Sequence, residues 1–337
     1  MNFSDEQLEI INAPSDEKTV VMAAAAAGKT ATLTERIRIL LRRGIDPRKL
    51  VAITFTNNAA AEMRDRLGDD FKEGMFLGTI HSYANNLLVS KGFDTSEFRE
   101  DEEFDKLFDL IAENPQVLRE VDYLLCDESQ DLNAEQFEFI TTIIQPKAML
   151  VVGDIRQSIY GFKGAEPKKL LNLMYSDEFE VRELTRNYRN GKAIIKFSND
   201  IVDRMKEVNV APVTAMRDVR GVIRKITPWE ILSTVKTDKN WGNWAILCRT
   251  NKKVSDIMTM LKRQGIPNIT FRQAQGGLNE LKEKMQSNAV KVLTIHSAKG
   301  LEFEKVIVCD IYSKGEENMR LNYVAVTRAR DELYLCF

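Results

Sequence analysis

The sequence predicts an α/β protein of two parallel-sheet domains, and three observations carry that prediction. The chain has 337 residues, too many for one ordinary domain and enough for two, each with its own core. An apolar run, Asp122-Tyr123-Leu124-Leu125-Cys126, ends abruptly in Asp127-Glu128-Ser129-Gln130-Asp131, as a buried strand does when it delivers acid to a sheet edge. A second α/β pattern begins at Phe179-Glu180-Val181-Arg182-Glu183-Leu184, with strand-like Trp244 to Cys248, Asn268 to Phe271, Val290 to Ile295 and Lys305 to Cys309. The boundary falls between Asp177 and Leu184, giving domains 1–180 and 181–337.

Composition narrows the class without naming a function. With 44% hydrophobic and 29% charged residues, 8 Pro and 17 Gly, the chain reads as a globular protein without low-complexity tracts. It contains no long apolar run and starts without the basic and apolar segments of a signal peptide, so a cytoplasmic protein with no membrane partner is expected. Cys126, Cys248, Cys309 and Cys336 sit in or beside apolar runs without ligand-like spacing, which predicts reduced core cysteines and no zinc or disulfide role. A net charge of -2 favours no particular partner and leaves nucleic-acid binding open.

Taken in order, Ser4 and Gln7 read as the cap and third residue of an amphipathic helix. Thr19-Val20-Val21-Met22 then forms a short strand that runs into Ala23-Ala24-Ala25-Ala26-Ala27-Gly28-Lys29-Thr30 and a helical segment from Leu33. Strand, small-residue turn, Gly-Lys-Thr and helix is the order that cradling a phosphate needs. Backbone N–H groups and the helix N-terminus face the anion, Lys29 adds a point charge, and the Thr30 hydroxyl suits Mg2+. The usual pattern has glycine where Ala23 stands, alanine is costly wherever φ must be positive, and five alanines also suit a plain helix start.

Leu50 to Phe55 is another strand, and Thr56-Asn57-Asn58 opens a helix; Gly78-Thr79-Ile80-His81-Ser82-Tyr83 ends a third strand-like stretch. Residues 84–120 read as a small helical insertion whose acidic cluster, Glu100-Asp101-Glu102-Glu103, is a solvated face. After the strand Ala148 to Val152, the segment Gly153 to Ala165 interleaves polar, aromatic and basic residues, which suits either a base-stacking platform or a turn with packed aromatics. The two histidines of the chain lie in identical tetrapeptides, Thr79-Ile80-His81-Ser82 and Thr294-Ile295-His296-Ser297, as a duplicated domain or a chance match would produce.

The ordered series Gln7, Gly28-Lys29-Thr30, Ile53-Thr54-Phe55-Thr56-Asn57, Gly78 to Ser82, Asp127 to Asp131, Val152-Gly153-Asp154 with Gln157-Ser158-Ile159-Tyr160, Leu184 to Arg189, Thr294 to Phe303 and Tyr323 to Ala329 resembles the UvrD/Rep/PcrA group of superfamily 1 DNA helicases. The resemblance runs nearly end to end and implies two RecA-like domains with an ATP cleft between them, ATP and Mg2+ as cofactors, and expected 3′ to 5′ movement on single-stranded DNA. By the same resemblance, Gln7 and Arg36 read adenine, Tyr188 stacks on it and Glu302, beside Gly300, contacts the ribose. Ala25, Ala26, Ala27, Gly28, Lys29, Thr30 and Ala31 hold the phosphates, with Thr30 and Asp127 on the metal. Glu128 is the general base, Gln157 lies near the γ-phosphate, and Arg189 and Arg328 reach in from the second domain. Phe55, Asn57, His81, Tyr160, Phe162 and His296 contact single-stranded DNA. Read as isolated residues, the two arginines equally suit surface ion pairs, and the histidines suit backbone capping at strand ends.

The chain departs from the family in size. The first accessory insertion is short, and the second is reduced to a polar connector at 273–288, so the resemblance implies translocation on single strands ahead of autonomous unwinding at single-strand/duplex junctions. Two other readings compete with a self-sufficient helicase. One is a nucleotide-switched DNA-binding module; the other is a motor subunit that needs a nuclease, polymerase or loader as protein partner.

Overall fold

The computed structural model describes residues 2–100, 103–206, 208–271, 278–311 and 314–337. The chain divides into two compact units, Met1–Ala23 with Gly28–Leu184, and Ala24–Ala27 with Thr185–Phe337. The first contains strands β1 (Lys18–Ala23), β2 (Leu50–Thr54), β3 (Phe76–Thr79), β4 (Tyr123–Cys126), β5 (Ala148–Gly153) and β6 (Glu180–Leu184). Its helices are α1 (Asp5–Asn12), α2 (Lys29–Arg42), α3 (Asn57–Leu67), α4 (Ile80–Val89), α5 (Ser96–Glu100), α6 (Lys106–Glu113), α7 (Ala134–Glu138) and α8 (Pro167–Met174). The strands form one parallel sheet in the order β3-β2-β4-β5-β1-β6.

Strands β2, β4 and β5 are buried along their whole length and β1 along all but its first residue. Unbroken apolar runs such as Leu124-Leu125-Cys126 reflect a parallel sheet covered on both faces. Because β4 neighbours β5 and β5 neighbours β1, the turn after Ala23, the carboxylate of Asp127 and the loop at Asp154 leave the sheet side by side at its carboxyl edge. The run Glu180–Leu184, from which the second α/β pattern was expected to begin, instead pairs with β1 as the edge strand of this first sheet. Its charged residues, Glu180, Arg182 and Glu183, suit an edge, and periodicity says nothing about which sheet a strand joins.

The second unit has its own parallel sheet, in the order β11-β12-β10-β13-β14-β9, and a separate pair of short strands, β7 (Arg186–Asn187) and β8 (Thr214–Ala215). The sheet consists of β9 (Val222–Ile226), β10 (Trp244–Cys248), β11 (Asn268–Ile269), β12 (Val290–Thr294), β13 (Phe303–Cys309) and β14 (Ala329–Cys336). Its helices are α9 (Lys192–Val202), α10 (Ile231–Lys236), α11 (Asn251–Arg263), α12 (Leu278–Gln286), α13 (Ile295–Ala298) and α14 (Glu316–Val326). Trp244, Ile246, Val292 and Ile307 centre one core cluster, which also takes in Cys248, Cys309 and Cys336. All four cysteines are buried and free.

The repeated tetrapeptide builds the same local structure twice. Thr79 caps α4 and Thr294 caps α13, each accepting through its hydroxyl from the backbone N–H of the serine three residues on. Both histidines therefore stand in the first turn of a helix rather than at a strand end. Of the expected insertion, α5 and α6 are helical, while Asp101 and Glu102 of its acidic cluster lie outside the described residues. The connector holds α12, and residues 273–277 likewise lie outside the described residues. Among the described residues no helix is long and apolar enough to cross a membrane.

Candidate active site

The phosphate-loop segment is shaped by two left-handed residues. Gly28 caps α2 with φ of 80°, and Ala26 holds φ of 55°. The strain expected from a missing glycine thus falls on Ala26, whereas Ala23, the position singled out from the pattern, is simply the buried end of β1. Helix α2 starts at Lys29, so its first-turn N–H groups and the positive end of its dipole meet the turn. Gln7 fills the capping role read for it and lies against the phosphate-loop turn. Its Oε1 accepts from Ser4 N to complete the capping box, and its Nε2 lies where a Cβ on Gly28 would come within 2.5 Å.

Lys29 Nζ stands 3.5 Å from Glu128 Oε1. Glu128 adopts a left-handed backbone with φ of 53° and ψ of 36°, uncommon for a residue with a side chain and concentrated where a site over-determines it. Its N–H donates to Asp127 Oδ1 at 2.8 Å, and its Oε2 accepts from Gln130 Nε2 at 2.6 Å. On the adjacent strand, Asp154 accepts from Arg156 Nε at 2.6 Å and from Gln157 Nε2 at 2.7 Å, all three side chains being buried. The structure therefore brings Lys29, Asp127 and Glu128 together at one sheet edge, and the side chain of Gln157 is engaged by Asp154.

Arg36 requires a correction. Its side chain is 0% exposed and all five of its N–H donors are engaged: Nε and Nη2 on the Tyr123 hydroxyl, Nη1 on Ile11 O and Ala13 O, and Nη2 on Pro14 O. The guanidinium also lies 5.0 Å from the Tyr123 ring centroid. No donor remains for an adenine, and Arg36 instead clamps the segment that leaves α1. Ala31 lies half-buried in the first turn of α2.

On the same unit, Phe55 stacks on Tyr160 at 5.3 Å, and Phe162 follows at 6.1 Å with 65% of its surface exposed. The Tyr160 hydroxyl titrates above its usual range through burial, then through the Asp131 and Glu128 carboxylates. Asn57, the first residue of α3, lines an open groove of about 540 Å³ with Arg64, Gly78, Ser82 and Asn85. His81 sits apart from this ladder. Its ring packs on Phe104 and Phe108, and its Nε2 meets Asp105 Oδ1 at 2.8 Å. That bond is the first reason the Asp105 carboxyl lies below the ordinary carboxylate range, with Asn133 and Gln136 adding to it.

In the second unit, the half-exposed ring of Tyr188 (42%) follows Asn187, whose side chain donates to Ala25 O at 2.8 Å; Tyr188 N donates to Ala26 O at 3.1 Å. Arg189 Nε pairs with Glu302 Oε2 at 2.5 Å. Arg328 is buried, its guanidinium donating to Val324 O, Leu301 O and Thr327 Oγ1, so it faces its own unit rather than solvent. Gly300 takes φ of 85° before Leu301, and His296 stands half-buried in the first turn of α13. Sequence reasoning assigned no role to Gln130, Asp154, Arg156, Asn187 or Asp105. The available signal was a run of polar residues where a strand end and its loop are buried.

A phosphate-loop turn feeding a helix, beside two adjacent strands that end in acid, defines the phosphate-loop nucleotide-binding class of α/β proteins. Residues 3–118 and 114–177 match the UvrD/REP helicase N-terminal domain, and residues 274–337 match the UvrD-like helicase C-terminal domain. The chain belongs to the UvrD/REP helicase family. It is 25% identical to a Mycoplasma pneumoniae protein named "Probable DNA helicase", over 433 positions covering 94% of this chain and 80% of that protein. The ATP-dependent DNA helicase PcrA of Staphylococcus epidermidis is 24% identical, over 79% of this chain and 50% of its own length. PcrA of Leuconostoc citreum is 25% identical over 434 positions, 98% of this chain and 56% of its own. The chain thus spans about half the length of these two PcrA relatives. Alignments of 433 and 434 positions exceed its 337 residues, so those relatives carry internal segments without a counterpart here.

Proposed function

We propose that this chain is an ATP-dependent translocase on single-stranded DNA, moving 3′ to 5′, and a DNA helicase of reduced size. The observation that carries the reading is the Lys29–Glu128 pair at the start of α2, with Asp127 beside it, on the same unit as the Phe55–Tyr160–Phe162 ladder. Phosphoryl transfer is governed by positioning and charge stabilisation, and these residues provide both. In this account Lys29 neutralises the phosphates and Glu128 takes the proton of the attacking water. Arg189 supplies a further positive group, Gln157 and Arg328 add a polar and a positive one once they leave Asp154 and the carbonyls of Leu301 and Val324, Gln7 and Tyr188 hold the base, and Glu302 the sugar. Release of Glu128 from Lys29, and of Arg189 from Glu302, accompanies nucleotide binding.

A hydroxyl from Thr30 and a carboxylate from Asp127 are the oxygen donors that suit Mg2+, which usually takes few protein ligands and completes its shell with phosphates and water. Among the described residues no group of three or more His, Cys, Asp or Glu side chains is placed to hold a metal by itself. Mg2+ would supply charge neutralisation on the phosphates.

Adjacent aromatic rings that end in an exposed one, Phe162, suit sequence-tolerant base stacking. The internal segments present in the relatives and absent here support a second reading, a motor that unwinds duplex only with a protein partner. Displacement of streptavidin from oligonucleotides biotinylated at one end or the other tests the proposal. ATP-dependent displacement from the 5′ end alone is expected, because a 3′ to 5′ motor arrives there. Displacement from neither end in the presence of ATP would overturn translocation.

A further inference from the structure

We propose that Gln130 is a positioning residue that couples hydrolysis at Glu128 to the aromatic face at Tyr160. The inference rests on the function proposed above and adds the internal link which that function needs. Gln130 is 0% exposed and bonds to both the acidic strand end and the loop after the adjacent strand. Its Nε2 donates to Glu128 Oε2 at 2.6 Å and to Asp131 Oδ2 at 3.2 Å. Its Oε1 accepts from Asp154 N at 2.8 Å, and its main-chain carbonyl accepts from Ser158 Oγ at 3.0 Å.

Those bonds join two segments that are far apart in sequence. Asp154 holds Gln157 through its Oδ2, and Ser158 follows Gln157 directly and precedes Tyr160 by two residues. Only an amide answers the geometry, because the side chain must donate to a carboxylate and accept from a backbone N–H at once. A glutamate at this position would repel Glu128, and an apolar residue would orphan both partners. The surrounding packing is built for that amide: a Cβ on Gly153 would lie 2.8 Å from Gln130 Oε1 and 2.8 Å from Ser129 Oγ. Buried and shielded from water, these bonds are short and polarise one another. A displacement of Glu128 during turnover therefore reaches Ser158, and with it the Tyr160–Phe55 stack, through one residue, by way of its side-chain amide and then its main-chain carbonyl.

The test uses the full chain and compares hydrolysis without DNA to hydrolysis at saturating oligo-dT. Ser158→Ala removes only the hydroxyl bonded to Gln130 O. It is expected to keep the DNA-free rate and the KM for ATP within about twofold and to lose about fivefold of the DNA stimulation, the worth of one ordinary hydrogen bond. Ser158→Thr, which keeps a hydroxyl, restores the stimulation. Gln130→Met is expected to lose stimulation as well, and adding Ser158→Ala to it costs nothing further, because both act on one path. Full stimulation in Ser158→Ala, an equal fall of both rates, or multiplicative losses in the double variant would overturn the inference. Hydrolysis by the unaltered chain that DNA fails to stimulate would instead overturn the proposed function on which it rests.

Discussion

Replacing Arg36 by methionine separates the two roles that its position suggests. Methionine keeps most of the apolar stem and removes all five donors. Ala13 O retains Arg43 Nη1 at 2.6 Å, whereas Ile11 O, Pro14 O and the Tyr123 hydroxyl lose the guanidinium. Three orphaned polar groups at about 1 kcal/mol each make a loss of about 3 kcal/mol. With a urea dependence of about 2 kcal/mol per molar, the unfolding transition of the first unit should move down by about 1.5 M. Urea denaturation followed by circular dichroism, beside the KM for ATP of the variant at low denaturant, reads both roles. An unchanged midpoint together with a KM raised tenfold or more would refute the clamp and return Arg36 to the base.

Two further outcomes follow from the same geometry. The Asp105 carboxyl is held below its usual range chiefly by His81, so the stability this pair contributes is present above pH 4 and is lost as pH falls through the lowered value. The difference in urea midpoint between the unaltered chain and His81→Ala should therefore shrink between pH 5 and pH 3; a difference that widened would contradict the pairing. Phe162 is the most exposed ring of the ladder, and Phe162→Trp enlarges its stacking surface, so a two- to threefold tighter binding of oligo-dT is expected by fluorescence anisotropy, about 0.5 kcal/mol. Equal affinity would count against stacking at this ring.

What could be read in advance depended on how local each feature is. The phosphate loop is contiguous in sequence, so Val20 to Thr30 announced strand, turn and helix together, and Asp127-Glu128 stood out because β4 is apolar to its end. Arg36 was misread because its partners, Ile11, Pro14 and Tyr123, are 25, 22 and 87 residues away. Strand β6 went to the wrong pattern because an edge strand with charged residues carries no label for its sheet. Gln130 was invisible as a hub, since a glutamine beside two acids looks solvated until the fold buries it. The identical Thr-Ile-His-Ser segments were noticed in the sequence, but their common role, a threonine that closes a strand and caps a helix, needed the hydrogen bonds of Thr79 and Thr294.

Steady-state ATP hydrolysis with and without single-stranded DNA, run beside Glu128→Gln, tests the central claim most directly. Hydrolysis strongly stimulated by DNA in the unaltered chain and lost in Glu128→Gln is the expected result, since the variant keeps the shape beside Lys29 and removes the base. DNA-stimulated hydrolysis that survives in Glu128→Gln would contradict the role given to this carboxylate, and no hydrolysis despite nucleotide-dependent DNA binding would leave a switched clamp in place of a motor.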